Sequence, residues 1–150
     1  MRLPLLVRYP KEIRAGSVCN DLVALLDFAP TFLDYAQVSI PSELQGTSIR
    51  PLLKGEQPKN KRKTVFYQYY DQYGVPSQDG IRTKDYKLIK FKRNDESFWE
   101  FYDLKKDPQE LKNEYHNPQY KDVIEKLQKE LIRKIETLPR FNAVFNDINN

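Results

Sequence analysis

The chain has 150 residues, of which 39% are hydrophobic and 31% charged, a composition typical of a soluble globular protein with one main core. Its 25 Lys and Arg against 21 Asp and Glu leave a net charge of +4, too mild an excess to indicate nucleic acid as the partner. One cysteine excludes an intramolecular disulfide, one histidine argues against a histidine-based metal site, and no apolar run approaches the roughly 20 residues that span a bilayer.

The N-terminal stretch predicts a strand. Leu3, Leu5, Leu6 and Val7 form a nearly continuous apolar run of the kind found in strands buried within parallel sheets. No βαβ neighbour follows, so we expect this strand to begin in the middle of a larger domain. Without its sheet partners, Leu3, Leu5 and Val7 should mediate self-association or make the protein poorly soluble.

A helix and a long loop are predicted next. Asp27 is the expected N-cap, and Pro30 then falls in the first turn, where its missing N–H does no harm. The alternative, one helix from Asp21 kinked at Pro30, costs about 3 kcal/mol. Prolines and glycines between residues 37 and 63 predict a loop with a helical turn around Ile49 to Leu53. It ends in a charged run at residues 59–63, which we interpret as a solvated loop.

Residues 64–103 predict a series of short strands. Thr64 to Tyr70 is rich in aromatic and β-branched residues, and a polar loop separates it from a second strand at Gly80 to Thr83. A hairpin should follow, with residues 94–97 as a four-residue polar connection.

Alternation along the third strand distinguishes two faces of the predicted sheet. Ile89 and Phe91 share one face, and we expect it to be the core face. Lys90 and Lys92 belong to the other, mostly basic face. Lysines interleaved with aromatic rings could form a nucleic-acid platform, but the strands come consecutively rather than in the βαββαβ order of RNA-binding sheets, so the rings are better explained as core.

A long amphipathic helix is predicted after the sheet. Asn117 is the expected N-cap and Pro118 the first helical residue, while Pro139 should end the helix. Its apolar face recurs at three- and four-residue spacing and comprises Tyr120, Val123, Ile124, Leu127, Leu131, Ile135 and Leu138. Consecutive strands followed by one helix indicate an α+β fold.

No constellation of residues in the sequence indicates catalysis. His116 lies beside the predicted N-cap, where a surface position in a turn is the simpler interpretation. Asp103 and Asp107 flank a strand end, and their spacing suits turn formation and backbone capping better than a metal site.

Five segments, taken together and in this order, resemble the C-terminal third of sulfatases, with the bacterial arylsulfatase and N-sulfoglucosamine sulfohydrolase branch as the closest group. They are residues 1–10 (MRLPLLVRYP), 27–34 (DFAPTFLD), 45–53 (QGTSIRPLL), 81–89 (IRTKDYKLI) and 102–110 (YDLKKDPQE).

This resemblance implies a fold for each part of the chain. Residues 1–63 would be a remnant, with one strand and one helix, of an alkaline-phosphatase-like α/β catalytic domain. Residues 64–150 would be the smaller subdomain, a sheet of about four antiparallel strands packed on the C-terminal helix. Typical full-length relatives are periplasmic or secreted, whereas the chain itself does not indicate a compartment.

The resemblance also implies a chemistry whose groups lie upstream of these segments. Sulfatases use a formylglycine made from a Cys/Ser-x-Pro-x-Arg motif together with a calcium ion held by Asp and Asn. Ser39 begins an imitation of that motif, but Glu43 stands where Arg is required, and Cys19 is not followed by the proline. We therefore expect no cofactor in this chain, and no catalytic or metal-binding residue.

One loop is a candidate for contact with a sulfated carbohydrate. Many relatives place a histidine in the loop before the Ile-Arg-Thr strand, and the corresponding positional candidates here are Gln72, Tyr73, Gln78 and Asp79. The sequence thus predicts the C-terminal portion of a sulfatase acting on sulfated sugars, inactive alone. The alternative is a stand-alone module that binds polyanions or sulfated glycans through the basic row with Lys90 and Lys92.

Overall fold

A computed structural model describes residues 3–70, 74–93 and 96–137, and the chain divides into two compact units, residues 1–65 and residues 66–150. The first unit contains a 3-10 turn at Leu25–Asp27, helix α1 at Phe28–Tyr35 and helix α2 at Arg50–Leu53. Strand β1 at Val65–Tyr69 begins at the boundary, and the second unit continues with β2 at Ser77–Arg82, β3 at Tyr86–Arg93, β4 at Glu96–Asp103 and helix α3 at Lys121–Thr137. None of the described helices is long and apolar enough to cross a membrane.

The strand predicted at Leu3 to Val7 is not formed. Within the described part of the chain, residues 3–9 have no strand partner, and Leu6 is 96% exposed. The run has the residue types of a buried strand, but a strand is stabilised by the ladder of its neighbours, and none pairs with it here.

Helix α1 begins at Phe28, so Asp27 occupies the N-cap position and Pro30 lies in the first turn, as predicted, but the Asp27 side chain accepts no hydrogen bond from this helix. The Asp27 carboxylate accepts hydrogen bonds from the N–H of Ala24 at 2.8 Å and of Thr47 at 2.9 Å. The side chain does not cap α1 because the turn at Leu25–Asp27 precedes the helix, and the N–H of Ala24 at the start of that turn donates to the Asp27 carboxylate instead.

Both helices of the first unit end in the same hydrogen-bonded turn. After α2, Gly55 has φ 81° and the N–H of Glu56 donates to the carbonyl of Pro51 at 2.9 Å. After α1, Gln37 has φ 58° and the N–H of Val38 donates to the carbonyl of Leu33 at 2.9 Å. This is the Schellman motif, whose left-handed residue is most often glycine.

The second unit is a four-stranded antiparallel sheet in the order β1-β2-β3-β4, with α3 packed on one face. Strand β2 starts at Ser77, three residues earlier than predicted, and β4 includes Glu96 and Ser97, which were expected in the hairpin loop. The fold class and the long C-terminal helix are as predicted, while Leu138 and Pro139 lie outside the described residues.

The core lies between the helix and the face of the sheet that carries Leu88, which corrects the predicted assignment of Ile89 and Phe91 to the core face. Leu88 is opposite Ile81 on β2 and Phe101 on β4, so these side chains form one layer beneath the helix. The core cluster consists of Ile81, Leu88, Phe101, Tyr120, Ile124, Leu127 and Leu131. Alternation predicted two faces, but which face receives the helix depends on the connection after β4.

That connection is fixed by polar side chains. The Asp103 carboxylate accepts from the N–H groups of Lys105 and Lys106, and Asp107 accepts from Leu111 and Lys112, so both act in backbone capping as predicted. Asn113 then covers the outer edge of β4.

Two hydrogen bonds join Asn113 to that edge. The N–H of Phe101 donates to Asn113 Oδ1 at 3.0 Å, and Asn113 Nδ2 donates to the carbonyl of Trp99 at 3.0 Å. Trp99 stacks on Tyr115 with ring centroids 5.8 Å apart. An edge strand is thus protected over these residues from pairing with another chain.

Candidate functional site

Of the four candidates for substrate contact, Gln78 and Asp79 lie in β2, while Gln72 and Tyr73 lie outside the described residues. Gln78 and Asp79 are adjacent in a strand, and successive side chains point to opposite faces of a sheet. Asp79 shares the face of Ile81 and the helix, whereas Gln78 shares the face of Gly80. Their side chains therefore belong to two separate surfaces.

On the helix side, Asp79 is 4% exposed and is held by two neighbours. Gln68 Nε2 donates to its Oδ1 at 2.8 Å, and Lys92 Nζ lies 3.0 Å from its Oδ2, close enough for an ion pair although the angles are poor for a hydrogen bond. The Tyr70 hydroxyl donates to Gln68 Oε1 at 3.1 Å and extends the network to the exposed surface. Because Lys92 neutralises its charge and Gln68 donates a hydrogen bond to it, the buried Asp79 carboxylate stabilises the sheet.

This network engages one lysine of the predicted basic row, and an aromatic ring engages the other. Lys90 Nζ lies 5.5 Å from the centre of the Trp99 ring, and Lys92 pairs with Asp79. The two lysines also share the sheet face that α3 covers in part. A polyanion would have to compete with Asp79 for Lys92, which weighs against a binding module built on this row.

On the opposite face, a row of side chains crosses β2, β3 and β4 at one level. Gln78 on β2 is directly opposite Phe91 on β3, and Phe91 is directly opposite Phe98 on β4. The Tyr67 hydroxyl on β1 donates to Gln78 Oε1 at 3.4 Å, a long hydrogen bond. Burial, followed by the charges of Glu110 and Glu100, raises the pKa of Tyr67 to about 12, so the hydroxyl keeps its proton at neutral pH.

A buried polar cluster continues along the same face. Lys87 forms an ion pair with Glu110, and the Tyr102 hydroxyl donates to Glu100 Oε2 at 2.8 Å. Burial and that hydrogen bond raise the pKa of Tyr102. Between this cluster and the row, Gly80 lies directly beneath the ring of Tyr67, where a Cβ would overlap the ring.

The first unit has a polar centre of its own around Asp27. Arg62 forms an ion pair with the buried Asp27 carboxylate, beside an open cleft of about 340 Å³. Lys61 pairs with Asp21 at 2.7 Å, so the charged run at residues 59–63 is not simply a solvated loop as predicted. Because Asp27 also accepts from two backbone N–H groups, this centre holds the loop onto α1.

A second ionic centre in this unit surrounds Arg50. Its guanidinium binds both carboxylate oxygens of Glu12, donates to Asp34 Oδ1 at 3.0 Å and lies 4.8 Å from the centre of the Tyr35 ring. The hydrogen bond from Arg50 lowers the pKa of Glu12. The pKa of Asp34 is lowered as well, by the Ser48 hydroxyl first and then by Arg50, both opposing the effect of burial.

None of these centres has the residues of a hydrolytic site. Cys19 is exposed, with its Sγ 3.8 Å from Asp21 Oδ2, and His116 is exposed in a turn, as expected. Within residues 3–70, 74–93 and 96–137, no three His, Cys, Asp or Glu side chains form a group that could hold a metal ion. Asp27, Asp34 and Asp79 pair with arginine or lysine side chains instead, so they do not fit a calcium site.

Sequence reasoning missed Tyr67, Gln68, Phe98 and Lys92 as neighbours of the candidate residues. Their contacts depend on the register between strands, which joins Gln78 to Phe91 across more than ten residues of sequence. Part of this arrangement could be predicted from sequence, because the alternation of side chains along β3 places Phe91 on the face opposite Lys92.

Comparison with known proteins identifies the family to which the chain belongs. The family model described as N-sulphoglucosamine sulphohydrolase, C-terminal, matches residues 1–137. The chain is 45% identical over 140 residues to an N-acetylglucosamine-6-O-sulfatase of Bacteroides thetaiotaomicron, covering 90% of this chain and 24% of that protein. It is 31% identical over 138 residues to an arylsulfatase of Clostridium perfringens, covering 90% of this chain and 28% of that protein.

A solved structure shows the same likeness in three dimensions. It is that of a protein in complex with its substrate D-glucosamine-2-N,6-O-disulfate, and it matches with a TM-score of 0.83 and 41% identity. The match covers 90% of this chain and 28% of that chain. This chain therefore spans about a quarter of the length of these relatives.

Proposed function

Because the chain belongs to the N-sulphoglucosamine sulphohydrolase C-terminal family of sulfatases, we propose that it is the C-terminal part of a sulfuric ester hydrolase acting on sulfated sugars. The match of the family model over residues 1–137 carries this proposal. Its role would be to bind and orient the sugar at one side of the active site, while the reacting groups come from the part of a sulfatase that precedes this segment.

The residues of the chain support that division of roles. Formylglycine, where sulfatases have it, supplies the nucleophile, and its precursor needs an arginine where Glu43 follows Ser39. Cys19 lacks the proline of the motif, and Asp27, Asp34 and Asp79 are paired with cationic side chains of the chain itself. We therefore propose that the chain alone does not hydrolyse sulfate esters.

The proposed substrate class is a sulfated amino sugar. Two matches support it: a curated relative is named an N-acetylglucosamine-6-O-sulfatase, and a solved structure contains a disulfated glucosamine as substrate. Of the candidate residues, Gln78 would face this sugar, because it lies on the sheet surface away from α3, whereas Asp79 would support the strand from behind. The stand-alone polyanion module is the weaker alternative, since both of its lysines already have partners.

A chimeric enzyme tests this function. The C-terminal segment of the Bacteroides N-acetylglucosamine-6-O-sulfatase is replaced by this chain, and release of sulfate from N-acetylglucosamine 6-sulfate and from an aryl sulfate is measured with calcium present. We expect the chimera to hydrolyse both compounds and the isolated chain to hydrolyse neither.

Two results would contradict the proposal. A folded chimera without activity toward either ester would show that the chain cannot serve as this part of a sulfatase. Turnover by the isolated chain that persists after replacement of Cys19 and of Ser39 and Ser42, the two serines of the imitated motif, would show that it carries a nucleophile of its own.

A further inference from the structure

The net positive charge of the chain is concentrated in its first unit. Residues 1–65 contain 10 Lys and Arg against 6 Asp and Glu, whereas residues 66–150 contain 15 of each, so the whole excess of +4 belongs to the first unit. Carboxylates compensate part of this charge through ion pairs, and the cations paired in this way are Arg50, Lys54, Lys61 and Arg62. The cations that remain should therefore attract an anionic partner.

Three of the remaining cations, Arg8, Lys11 and Arg14, recur at three-residue spacing around a single helical turn. The carbonyl of Tyr9 accepts hydrogen bonds from the N–H groups three and four residues later, at 3.1 and 2.8 Å. Residues three apart on such a turn are neighbours, with Cβ atoms about 5–6 Å apart. All three cations are exposed, and none of them forms an ion pair with another described residue. We call these three residues the basic turn.

The basic turn is held in place by the side chains between its cations. Glu12 binds the Arg50 guanidinium through both carboxylate oxygens, and the Tyr9 ring lies against the Tyr35 ring with centroids 5.1 Å apart. Glu12 is the one acidic residue in the segment 8–14, and because Arg50 pairs with it, its charge does not compensate the three cations. Cations fixed on an anchored turn lose less conformational entropy when they bind a partner.

Several exposed cations in a row suit a linear polyanion better than a small anion. One exposed ion pair contributes only about 0–1 kcal/mol, so a single anion would be held weakly, whereas a polymer can engage all three cations at once. Two of the cations are arginines, whose guanidinium binds a sulfate group through two parallel N–H groups. Binding of single-stranded nucleic acid also uses aromatic rings for base stacking, and the Tyr9 ring already packs against Tyr35.

We infer that Arg8, Lys11 and Arg14 form a surface that binds a sulfated polysaccharide. The sulfate groups of the polymer pair with the three side chains, so the surface holds the polymer by its charge and does not recognise one particular sugar. The choice of a sulfated polymer over other polyanions rests on the proposed function, whereas the cationic surface itself rests on the contacts of residues 8–14.

Binding is tested on the 150-residue chain by isothermal titration calorimetry, with heparin as the sulfated probe. The combined variant Arg8→Gln, Lys11→Gln, Arg14→Gln should weaken heparin binding by about three- to hundredfold, taking three exposed ion pairs as the guide. Its affinity should also depend less on salt. Arg8→Lys with Arg14→Lys keeps the charge and should retain most of the affinity. Thermal unfolding of the combined variant should match that of the parent, because these side chains have no ion-pair partner among the described residues.

A second triple variant, Lys84→Gln, Lys121→Gln, Lys129→Gln, is the matched control, because it removes the same charge from three exposed lysines of the second unit and should leave heparin affinity nearly unchanged. Equal weakening by the two triple variants would show that net charge alone attracts heparin. That result, or no heparin binding at low salt, would overturn the inference. So would binding of unsulfated hyaluronan, single-stranded DNA or anionic lipid vesicles that is as tight as binding of heparin.

The chimera separates this inference from the proposed function. Hydrolysis of a small aryl sulfate does not need a surface for a polymer, so a chimera that carries the basic-turn substitutions should hydrolyse the aryl ester like the parent chimera. An inactive parent chimera, together with heparin binding that depends on the basic turn, points to failure of the proposed function alone. An active chimera, together with heparin binding that the basic-turn substitutions leave unchanged, points to failure of this inference alone.

Discussion

Lys87 and Glu110 form an ion pair that ties β3 to the turn after β4, and the Lys87 side chain is only 8% exposed. Glu110 has φ 58°, a left-handed conformation that costs a non-glycine residue roughly 1 kcal/mol. The turn therefore keeps an unfavourable backbone geometry at the residue that neutralises the buried ammonium. The pair lies on the sheet face opposite α3, where a second, polar layer covers Ile89.

The first prediction concerns this pair. Lys87→Met should destabilise the chain by about 1–3 kcal/mol, because the partly buried Glu110 loses its partner. Urea unfolding followed by circular dichroism measures the change. Lys84→Met, which removes an exposed lysine from the nearby turn, is the control and should stay within about 0.5 kcal/mol of the parent. Equal effects of the two substitutions would show that the pair contributes no specific stabilisation.

A pH dependence is expected from Asp103. Burial acts to raise the pKa of this carboxyl, but hydrogen bonds from the Tyr120 hydroxyl and from the backbone N–H groups of Lys106 and Lys105 outweigh it, and the pKa lies below the usual value. A group with a depressed folded pKa stabilises the fold above its unfolded pKa, about 3.9, and loses that contribution as the pH falls through the folded value.

Asp103→Asn should therefore flatten the loss of stability below about pH 4, and Tyr120→Phe should lower stability at pH 7 by about 1–3 kcal/mol by removing one hydrogen bond to the charged group. Thermal unfolding at several pH values measures both effects. An acid transition of Asp103→Asn identical to that of the parent would exclude Asp103 as its source.

The two Schellman turns of the first unit predict opposite effects of reciprocal substitutions. Gln37→Gly should stabilise the chain by up to about 1 kcal/mol, because glycine adopts φ 58° without steric cost. Gly55→Gln should destabilise it by about 1–2 kcal/mol, since a side chain at φ 81° is strained even though open space surrounds the position. Differential scanning calorimetry of both variants checks the signs. A loss of stability in Gln37→Gly would show that the Gln37 side chain makes a compensating contact.

Self-association through the N-terminal segment remains a prediction. Leu3, Leu5 and Val7 are exposed, so burying them between two copies would remove apolar area from water. Sedimentation velocity should show association that increases with concentration and that Leu5→Lys with Val7→Lys reduces. Val18→Lys, an exposed apolar position outside the segment, is the control. A chain that sediments as a monomer at all concentrations would contradict this prediction.

Much of the second unit could be predicted from sequence because local patterns determine its elements. The spacing of Ile124, Leu127 and Leu131 defines the buried face of α3, and the aromatic run at Val65–Tyr69 defines β1. Ile89 is buried, but the prediction that the main core lies on the face of Ile89 and Phe91 was wrong, because alternation defines two faces without saying which one the helix covers. That choice depends on the connection after β4, in which Asp103 and Asp107 cap backbone turns.

The candidate site was less accessible to sequence reasoning. Gln78 and Asp79 were selected together because they are neighbours in a loop-like segment, but the segment is a strand and separates them to opposite faces. The aromatic partners of Gln78 come from β3 and β4, through pairings that only strand register defines. The Leu3 to Val7 strand failed for a related reason, because a buried strand needs a neighbour that its own residues cannot specify.

The single tryptophan makes the second unit separately visible to spectroscopy. Trp99 stacks on Tyr115 and lies near the Lys90 ammonium. Because Tyr115 belongs to the segment that leads into α3, the fluorescence of Trp99 depends on the position of that segment. The first unit contains no tryptophan. Emission at tryptophan wavelengths therefore follows the unfolding of residues 66–150 alone, and its difference from a whole-chain signal such as circular dichroism measures whether the two units melt together.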